Sequence, residues 1–224
     1  MPQIVKPSRV RCARCLRPES HCLCSHITVV PNRSRVLILQ HTDEARHPLN
    51  TARLAVLGLK NAELLVGEWF PQLNDLLASA ANPILLFPAS EHALAPVRVA
   101  ADGQTTEPPL LVVPDGTWRM ARKIIRANPV LGSLPRLTLP LGAASEYRVR
   151  KAREPAAVST IEAVVRALSL LEPQGNFQPL LRPFHVLVQQ QIQAMGPEVF
   201  HRNHAMRIPG PLPSSDYAQV GQEP

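Results

Sequence analysis

The sequence predicts an α/β protein in which helices cover both faces of a mostly parallel sheet, preceded by a small cysteine-rich module. Short apolar runs alternate along the chain with longer segments of helical spacing, as in parallel sheets layered by helices. The short runs are apolar throughout, which strands buried on both faces require. All four cysteines lie between Cys12 and Cys24, in a segment with little apolar periodicity.

The predicted strands are five short apolar segments, and the predicted helices carry apolar residues every three or four positions. The strands are residues 35–40, 62–66, 83–87, 109–113 and 134–139. The helices are residues 51–59, 71–81, 117–128, 159–172 and part of 178–195. Ser159 and Glu162 have capping-box spacing, in which each side chain bonds the other residue's backbone N–H. Pro183 is expected to break the last helix early.

Composition divides the 224 residues into three predicted regions. Residues 1–33 form a cysteine-rich arm, residues 34–207 an α/β domain, and residues 208–224 a disordered tail rich in Pro, Ser and Gly. No apolar run approaches the roughly 18 residues that span a bilayer, and the N-terminus has no apolar signal core. We therefore expect a cytoplasmic protein without membrane contact, and the sequence does not specify an oligomeric state.

The cysteine spacing predicts a structural zinc site. Cys12-x₂-Cys15 is followed, after six residues, by Cys22-x-Cys24. Four thiolates can enclose Zn²⁺ tetrahedrally with no open position for catalysis, and metal binding then supplies folding free energy. His21 or His26 could replace one cysteine, because the last pair is tightly spaced. Four unliganded thiols or a redox pair are the alternatives.

The charge distribution favours a polyanionic partner. Lys and Arg number 24 against 17 Asp and Glu, a net charge of +7. Residues 1–35 contain seven basic residues and one acid, and residues 118–153 contain nine and one. A phosphate backbone attracts such surpluses through counterion release. Solvated basic faces without a ligand are the alternative.

The strongest functional signal follows the fourth strand, in the sequence Asp115-Gly116-Thr117-Trp118. A carboxylate at a strand's carboxyl end can face a cleft, glycine allows a sharp turn, and threonine can cap the next helix. The alternative is an ordinary capped helix with a buried Trp and a solvated Asp.

Two further polar turns follow predicted strands. Residues 41–51, which end in Asn50-Thr51, come after the first strand, and Phe87-Pro88 end the third. Because ligands bind beyond the carboxyl ends of parallel strands, three such turns predict one ligand cleft. A basic cluster at residues 148–151 precedes the Ser159 cap and would place its cations on one face if extended.

Residues 115–118 resemble the D-x-T-W signature of DTW-domain proteins. The other matching blocks, similar in kind and order, are the four cysteines and residues 41–51, 86–88, 147–151 and 159–163. The resemblance covers about residues 12–200. It implies tRNA-uridine aminocarboxypropyltransferase activity, with bacterial members acting on the variable-loop uridine. It also implies a fold akin to the SPOUT methyltransferases, whose knotted cofactor pocket lies at strand ends.

The implied reaction transfers the 3-amino-3-carboxypropyl group of S-adenosylmethionine to uridine N3 in tRNA and releases methylthioadenosine. The expected catalytic residues are Asp115, as base or as anchor for the donor's ammonium, and Trp118. The expected donor contacts are Asn50, Thr51, Phe87, Pro88, Asp115, Thr117, Ser159 and Thr160. The expected RNA contacts are Arg119, Arg122, Lys123, Arg148, Arg150 and Lys151, and the expected zinc ligands are Cys12, Cys15, Cys22 and Cys24.

The sequence is also compatible with two other functions. One is an RNA methyltransferase that uses the same donor. The other is a non-catalytic RNA-binding protein with a zinc knuckle, which is disfavoured because binding alone needs no cleft at three strand ends.

Overall fold

The computed structural model describes residues 10–88, 107–140, 142–147, 149 and 157–204. Within these ranges the strands are β1 (Arg35–Gln40), β2 (Ala62–Val66), β3 (Ile84–Leu86), β4 (Leu110–Asp115) and β5 (Arg136–Leu137). They form one sheet in the order β2-β1-β4-β3-β5, and every pairing is parallel. The predicted α/β class is therefore confirmed.

The described helices lie between and after these strands. They are α1 (Thr42–Ala45), α2 (Ala52–Gly58), α3 (Leu73–Ala78), α4 (Trp118–Ala127), α5 (Thr160–Leu171), α6 (Arg182–Met195) and α7 (Pro197–His204). Among the described residues no helix is long and apolar enough to cross a membrane. Pro183 lies in the first turn of α6, where a missing N–H costs nothing, and the 3₁₀ turn Gln178–Leu181 precedes it. At the position of the expected early break, the 3₁₀ turn is thus followed directly by the α-helix α6.

Apolar residues on both faces of the sheet form two cores, as the uniformly apolar strands predict. On one face Val36 and Ile38 of β1 pack with residues of α2, α5 and α6. On the other face Leu37 and Leu39 pack with residues of α3 and α4. Successive strand residues point to opposite faces, so the two cores share the strands between them.

The cysteine-rich segment packs against the sheet domain. Leu23 is fully buried and belongs to the same core as α5 and α6. The backbone of Val30 accepts a hydrogen bond from Lys60 at 3.1 Å and donates one to Gly58 at 2.8 Å. The division at residue 33 remains a prediction, and the predicted tail at 208–224 lies outside the described residues.

The central pair of strands brings two carboxyl ends together. β1 and β4 are neighbours, and their last residues, Gln40 and Asp115, are register partners. The backbone N–H of His41 donates to the carbonyl of Asp115 at 3.0 Å, which extends the pairing by one bond. The carboxyl ends of β1, β3 and β4 therefore lie at the same edge of the sheet, where open α/β sheets bind ligands.

Candidate functional site

The carboxylate of Asp115 is buried at the carboxyl edge of the sheet, with 4% of the residue exposed. Gln40 Nε2 donates to its Oδ2 at 2.6 Å, and the hydroxyl of Thr160 donates to its Oδ1. A buried carboxylate is costly unless hydrogen-bonded, and these donors offset that cost. Asp115 is therefore held in a fixed position from the β1 side and the α5 side.

The loop after β1 reaches the same junction. The hydroxyl of the buried Thr51 accepts a hydrogen bond from the backbone of Ile161 at 3.4 Å. Its neighbour Asn50 accepts from the backbone of Ala52 at 2.9 Å, and so fixes the start of α2. The structure thus brings the turns that carry Asn50, Asp115 and Thr160 to one place.

Ser159 starts α5 through the predicted capping box. Its hydroxyl accepts from the backbone of Glu162 at 3.4 Å, and its backbone N–H donates to the Glu162 carboxylate at 2.8 Å. The side chain of Ser159 is therefore engaged within α5. The adjacent Thr160, the first residue of α5, turns its hydroxyl to Asp115 and faces the junction.

Gly116 makes the sharp turn from β4 into α4 possible. Its φ is +144°, and a Cβ atom there would lie 2.9 Å from the Cβ of Met120. Both the dihedral and the close approach require glycine. Thr117 then caps α4 by accepting from the backbone of Met120 at 3.4 Å.

An aromatic cluster flanks the junction at the ends of β3 and β4. The rings of Phe87 and Trp118 meet edge to face, with centroids 5.5 Å apart. The Arg136 guanidinium lies 5.6 Å from the Phe87 ring centroid and donates to the carbonyl of Pro88 at 2.9 Å. Arg136 therefore fixes the end of β3 beside Trp118, a role that sequence reasoning missed.

Gln40 and Glu68 were also absent from the predicted site. A lone polar residue at the end of the apolar β1 was the available signal for Gln40. Glu68, after β2, contacts His41 Nε2 at 2.9 Å and Lys123 Nζ at 2.7 Å. The hydrogen bond from Lys123 lowers the pKa of Glu68. His41 Nδ1 accepts from the backbone N–H of Asp43 at 3.2 Å, which orients the ring so that Nε2 faces Glu68.

A second loop is tied to the start of α5 through the Glu162 carboxylate. Ser145 Oγ donates to Glu162 Oε2 at 2.7 Å, and the backbone of Glu146 donates to Oε1 at 2.8 Å. The Tyr147 hydroxyl donates to the carbonyl of Leu49, next to Asn50. Residues 145–147 are thereby held against both turns of the junction.

The predicted RNA contacts on α4 form an exposed stripe. Arg119, Arg122 and Lys123 are all exposed, and Arg126 continues the stripe with the same spacing. Residues three and four apart share one face of a helix. The predicted contacts Arg148, Arg150 and Lys151 lie outside the described residues.

The four cysteines converge as the metal prediction requires. All four sulfur atoms lie within 4.8 Å of one another, with Cys12–Cys24 at 3.6 Å and Cys15–Cys22 at 3.8 Å. A tetrahedral site with Zn–S bonds of about 2.3 Å has sulfurs roughly 3.8 Å apart, so the donor set fits zinc. The cysteines are not disulfide-bonded.

The thiols differ in acidity because their surroundings differ. Backbone hydrogen bonds from Cys15 and Arg14 lower the pKa of Cys12 to about 6. Desolvation and the neighbouring thiols raise the pKa of Cys24 to about 12. A cation at the centre of the cluster would hold all four as thiolates, since a coordinating thiol loses its proton.

Arg17 connects the cysteine module to the loop after β1. Its Nη1 donates to the carbonyl of Pro48 at 2.8 Å, and its Nε donates to the carbonyl of His21 at 3.1 Å. The module is therefore bonded to the segment that leads into Asn50.

Residues 9–192 match the DTW domain family. The chain belongs to this family. Among relatives of this DTW-domain protein, "tRNA-uridine aminocarboxypropyltransferase 2" of Drosophila melanogaster is 31% identical over 82% of the chain and 76% of the relative. The protein of the same name from Mus musculus is 27% identical over 92% and 73%. "tRNA-uridine aminocarboxypropyltransferase A" of Arabidopsis thaliana is 29% identical over 74% of each. No solved structure matches the chain.

The expected likeness to SPOUT methyltransferases includes a knot, and this part stays a prediction. A knot assignment requires, among other segments, the chain path between Tyr147 and the Ser159 cap. Residues 148 and 150–156 on that path lie outside the described residues.

Proposed function

We propose that this DTW-domain protein transfers the 3-amino-3-carboxypropyl group of S-adenosylmethionine to N3 of a tRNA uridine, at the variable-loop position, and releases methylthioadenosine. Family membership and the names of the relatives support a transferase that acts on tRNA uridine. The observation that carries the proposal is the buried carboxylate of Asp115, which Gln40 and Thr160 hold at the junction of β1, β4 and the start of α5.

Asp115 is proposed as the anchor for the donor's ammonium group. Hydrogen bonds to both of its oxygens favour the charged carboxylate, which suits a fixed counter-charge better than a proton acceptor. Thr51 and the α5 start lie beside it and are proposed to contact the amino-acid arm of the donor. Phe87 and Trp118 supply apolar and aromatic surface for the rest of the ligand.

The proposed chemistry needs positioning more than acid or base strength. Uridine N3 attacks the methylene carbon beside the sulfonium, the N3–C bond forms, and the C–S bond breaks with its electron pair going to sulfur. The N3 proton passes to water. Because sulfonium is already a good leaving group, holding the amino-acid arm toward N3 and the methyl away from it can supply much of the rate enhancement.

The tRNA is proposed to approach from the α4 side of this edge. Arg119 and Arg122 are exposed next to Trp118, so a uridine near Trp118 would have cations beside its phosphates. Arg148, Arg150 and Lys151 remain predicted contacts. We also propose that the cysteine cluster binds a structural Zn²⁺. The proposed location is the cytoplasm, where cysteines remain reduced and available to a metal.

Product analysis tests the proposal. The zinc-loaded protein is incubated with S-adenosylmethionine and tRNA, and the small products and tRNA nucleosides are identified by mass spectrometry. We expect methylthioadenosine and a uridine with an aminocarboxypropyl group on N3, and neither with Asp115→Ala. S-adenosylhomocysteine with a methylated nucleoside would establish a methyltransferase instead, and tRNA binding without either product would exclude catalysis.

A further inference from the structure

Trp69 is the largest of the exposed apolar side chains in the described part of the chain, with 65% of the residue accessible. It lies in the loop after β2, at the same sheet edge as Asp115. Burial of an apolar side chain of this size stabilises a protein, so the exposure of Trp69 needs an explanation. Trp69 has no part in the donor site proposed above.

The backbone around Trp69 is fixed on both sides by one buried residue. Asn128 Nδ2 donates to the carbonyl of Glu68 at 2.7 Å, and Asn128 Oδ1 accepts from the backbone of Phe70 at 3.0 Å. Phe70 is itself buried, with 5% exposed. An exposed indole on a fixed backbone loses little conformational entropy when a ligand covers it.

The basic stripe of α4 contacts the loop that carries this indole. Lys123 of the stripe contacts the Glu68 carboxylate at 2.7 Å, next in sequence to Trp69. Arg122 and Arg126 each donate from Nε to a backbone carbonyl one turn earlier, at 3.4 and 3.3 Å, which restricts both guanidinium groups. Proteins that bind single-stranded nucleic acids combine an exposed aromatic ring, on which a base stacks, with nearby cations that contact the phosphates. Trp69 and the α4 stripe supply both, and we call this surface the platform.

The neighbouring positive charge and the small apolar area around Trp69 favour a nucleic-acid base over a protein as its binding partner. Val66, with 47% exposed, is the other exposed large apolar residue of this loop region, so the apolar patch is far smaller than a stable protein interface needs. A stacked base with its phosphates requires only one ring and neighbouring cations.

We propose that Trp69 stacks on an unpaired base of the tRNA, while Arg126 and the rest of the α4 stripe hold the adjoining phosphates. This inference rests on the proposed function for the identity of the RNA. It extends the RNA footprint from Trp118 along α4 to the loop after β2, beyond the reactive uridine.

Binding of labelled tRNA at several salt concentrations tests the platform, with the full zinc-loaded chain. Trp69→Ala should weaken binding roughly ten- to one-hundredfold, and Trp69→Phe should lose much less, because stacking depends on a ring. Trp69→Ala should leave unchanged the slope of the logarithm of the tRNA association constant against the logarithm of the salt concentration. Arg126→Gln should reduce the magnitude of this slope by about one unit, which corresponds to the loss of one phosphate contact. The matched control Val66→Ala should bind like the wild type.

Several outcomes would overturn the inference. These are wild-type affinity in Trp69→Ala, equal losses in the Ala and Phe variants, or altered self-association by light scattering with unchanged tRNA binding. Thermal melting and donor protection of Trp69→Ala verify that the fold and donor site are intact. If the wild type makes no aminocarboxypropyl product but tRNA binding still depends on Trp69, the proposed function fails and the platform stands.

Discussion

The hydroxyl of Thr160, at the start of α5, donates a hydrogen bond to Oδ1 of Asp115, at the end of β4. The next residue, Ile161, bonds through its backbone to Thr51 in the loop after β1. The start of α5 is therefore fixed to two loops of the sheet edge at once. The proposed donor site depends on this junction.

Thr160→Val should weaken donor use while preserving the fold. Valine has nearly the same shape but cannot donate to Asp115, and a hydrogen bond to a charged group contributes about 1.5–3 kcal/mol. We expect the KM for S-adenosylmethionine to rise roughly ten- to one-hundredfold, measured at saturating tRNA. Ser169→Ala, elsewhere on α5, removes an ordinary hydroxyl bond to Val165 and serves as the control. An unchanged KM would exclude Thr160 from the site.

Asp115→Asn and Asp115→Ala distinguish an anchor from a base. Both should lower the transfer rate at least about a thousandfold, because the donor's ammonium loses its counter-charge in a buried site. If Asp115 is the anchor, thermal protection by the donor should disappear in both variants. Full protection combined with lost transfer would instead assign Asp115 as the base, and near-wild-type turnover would remove it from catalysis.

Glu162→Gln should destabilise the protein and loosen residues 145–147. The buried carboxylate accepts from Ser159, Ser145 and the backbone of Glu146, and an amide can satisfy only part of this set. We expect a loss of about 2–4 kcal/mol in the free energy of unfolding, measured by denaturant titration. Glu146→Gln changes an exposed carboxylate paired with His185 at 3.2 Å and should cost under about 1 kcal/mol. Equal effects of both would contradict the role of Glu162.

Removal of metal should act on both the cysteine module and the donor site. We expect one zinc per chain by elemental analysis, and loss of it in Cys15→Ser. Because Arg17 bonds the module to the carbonyl of Pro48, chelation should lower both the melting temperature and donor affinity. Arg17→Leu in zinc-loaded protein should reproduce the loss of affinity with zinc retained. A metal-free protein that melts like the native one would contradict a structural metal.

The sequence predicted β1 and β2 to the residue, but it ended β4 two residues early. The predicted strand stopped at Val113, just before Pro114, which has no N–H to donate to a ladder. In the structure Pro114 pairs with Leu39, and Asp115 still accepts from His41, so the pairing with β1 continues. Asp115 is therefore the last residue of the strand, and the sheet itself fixes its position.

The sequence did not predict the short helix α1 or the long-range contacts of the site, because local residue patterns do not encode them. α1 has four residues, too few to show periodicity, and the signal for it is the His41 side chain that caps its start. The approach of Asp115 to Gln40 requires β4 to lie next to β1, and no local pattern specifies the strand order. Polar residues at strand ends therefore indicate which edge of the sheet carries the site. Which of these residues contact one another depends on the strand order, which only the structure shows.

The most direct measurement of the central claim follows two labels of the donor through one reaction. Wild-type protein receives S-adenosylmethionine labelled either in the carboxyl carbon of the amino-acid arm or in the methyl group, together with tRNA. If the Asp115 junction directs the amino-acid arm to uridine N3, tRNA retains the carboxyl label and the methyl label leaves with methylthioadenosine. Methyl label in the tRNA, with carboxyl label left in solution, would contradict it.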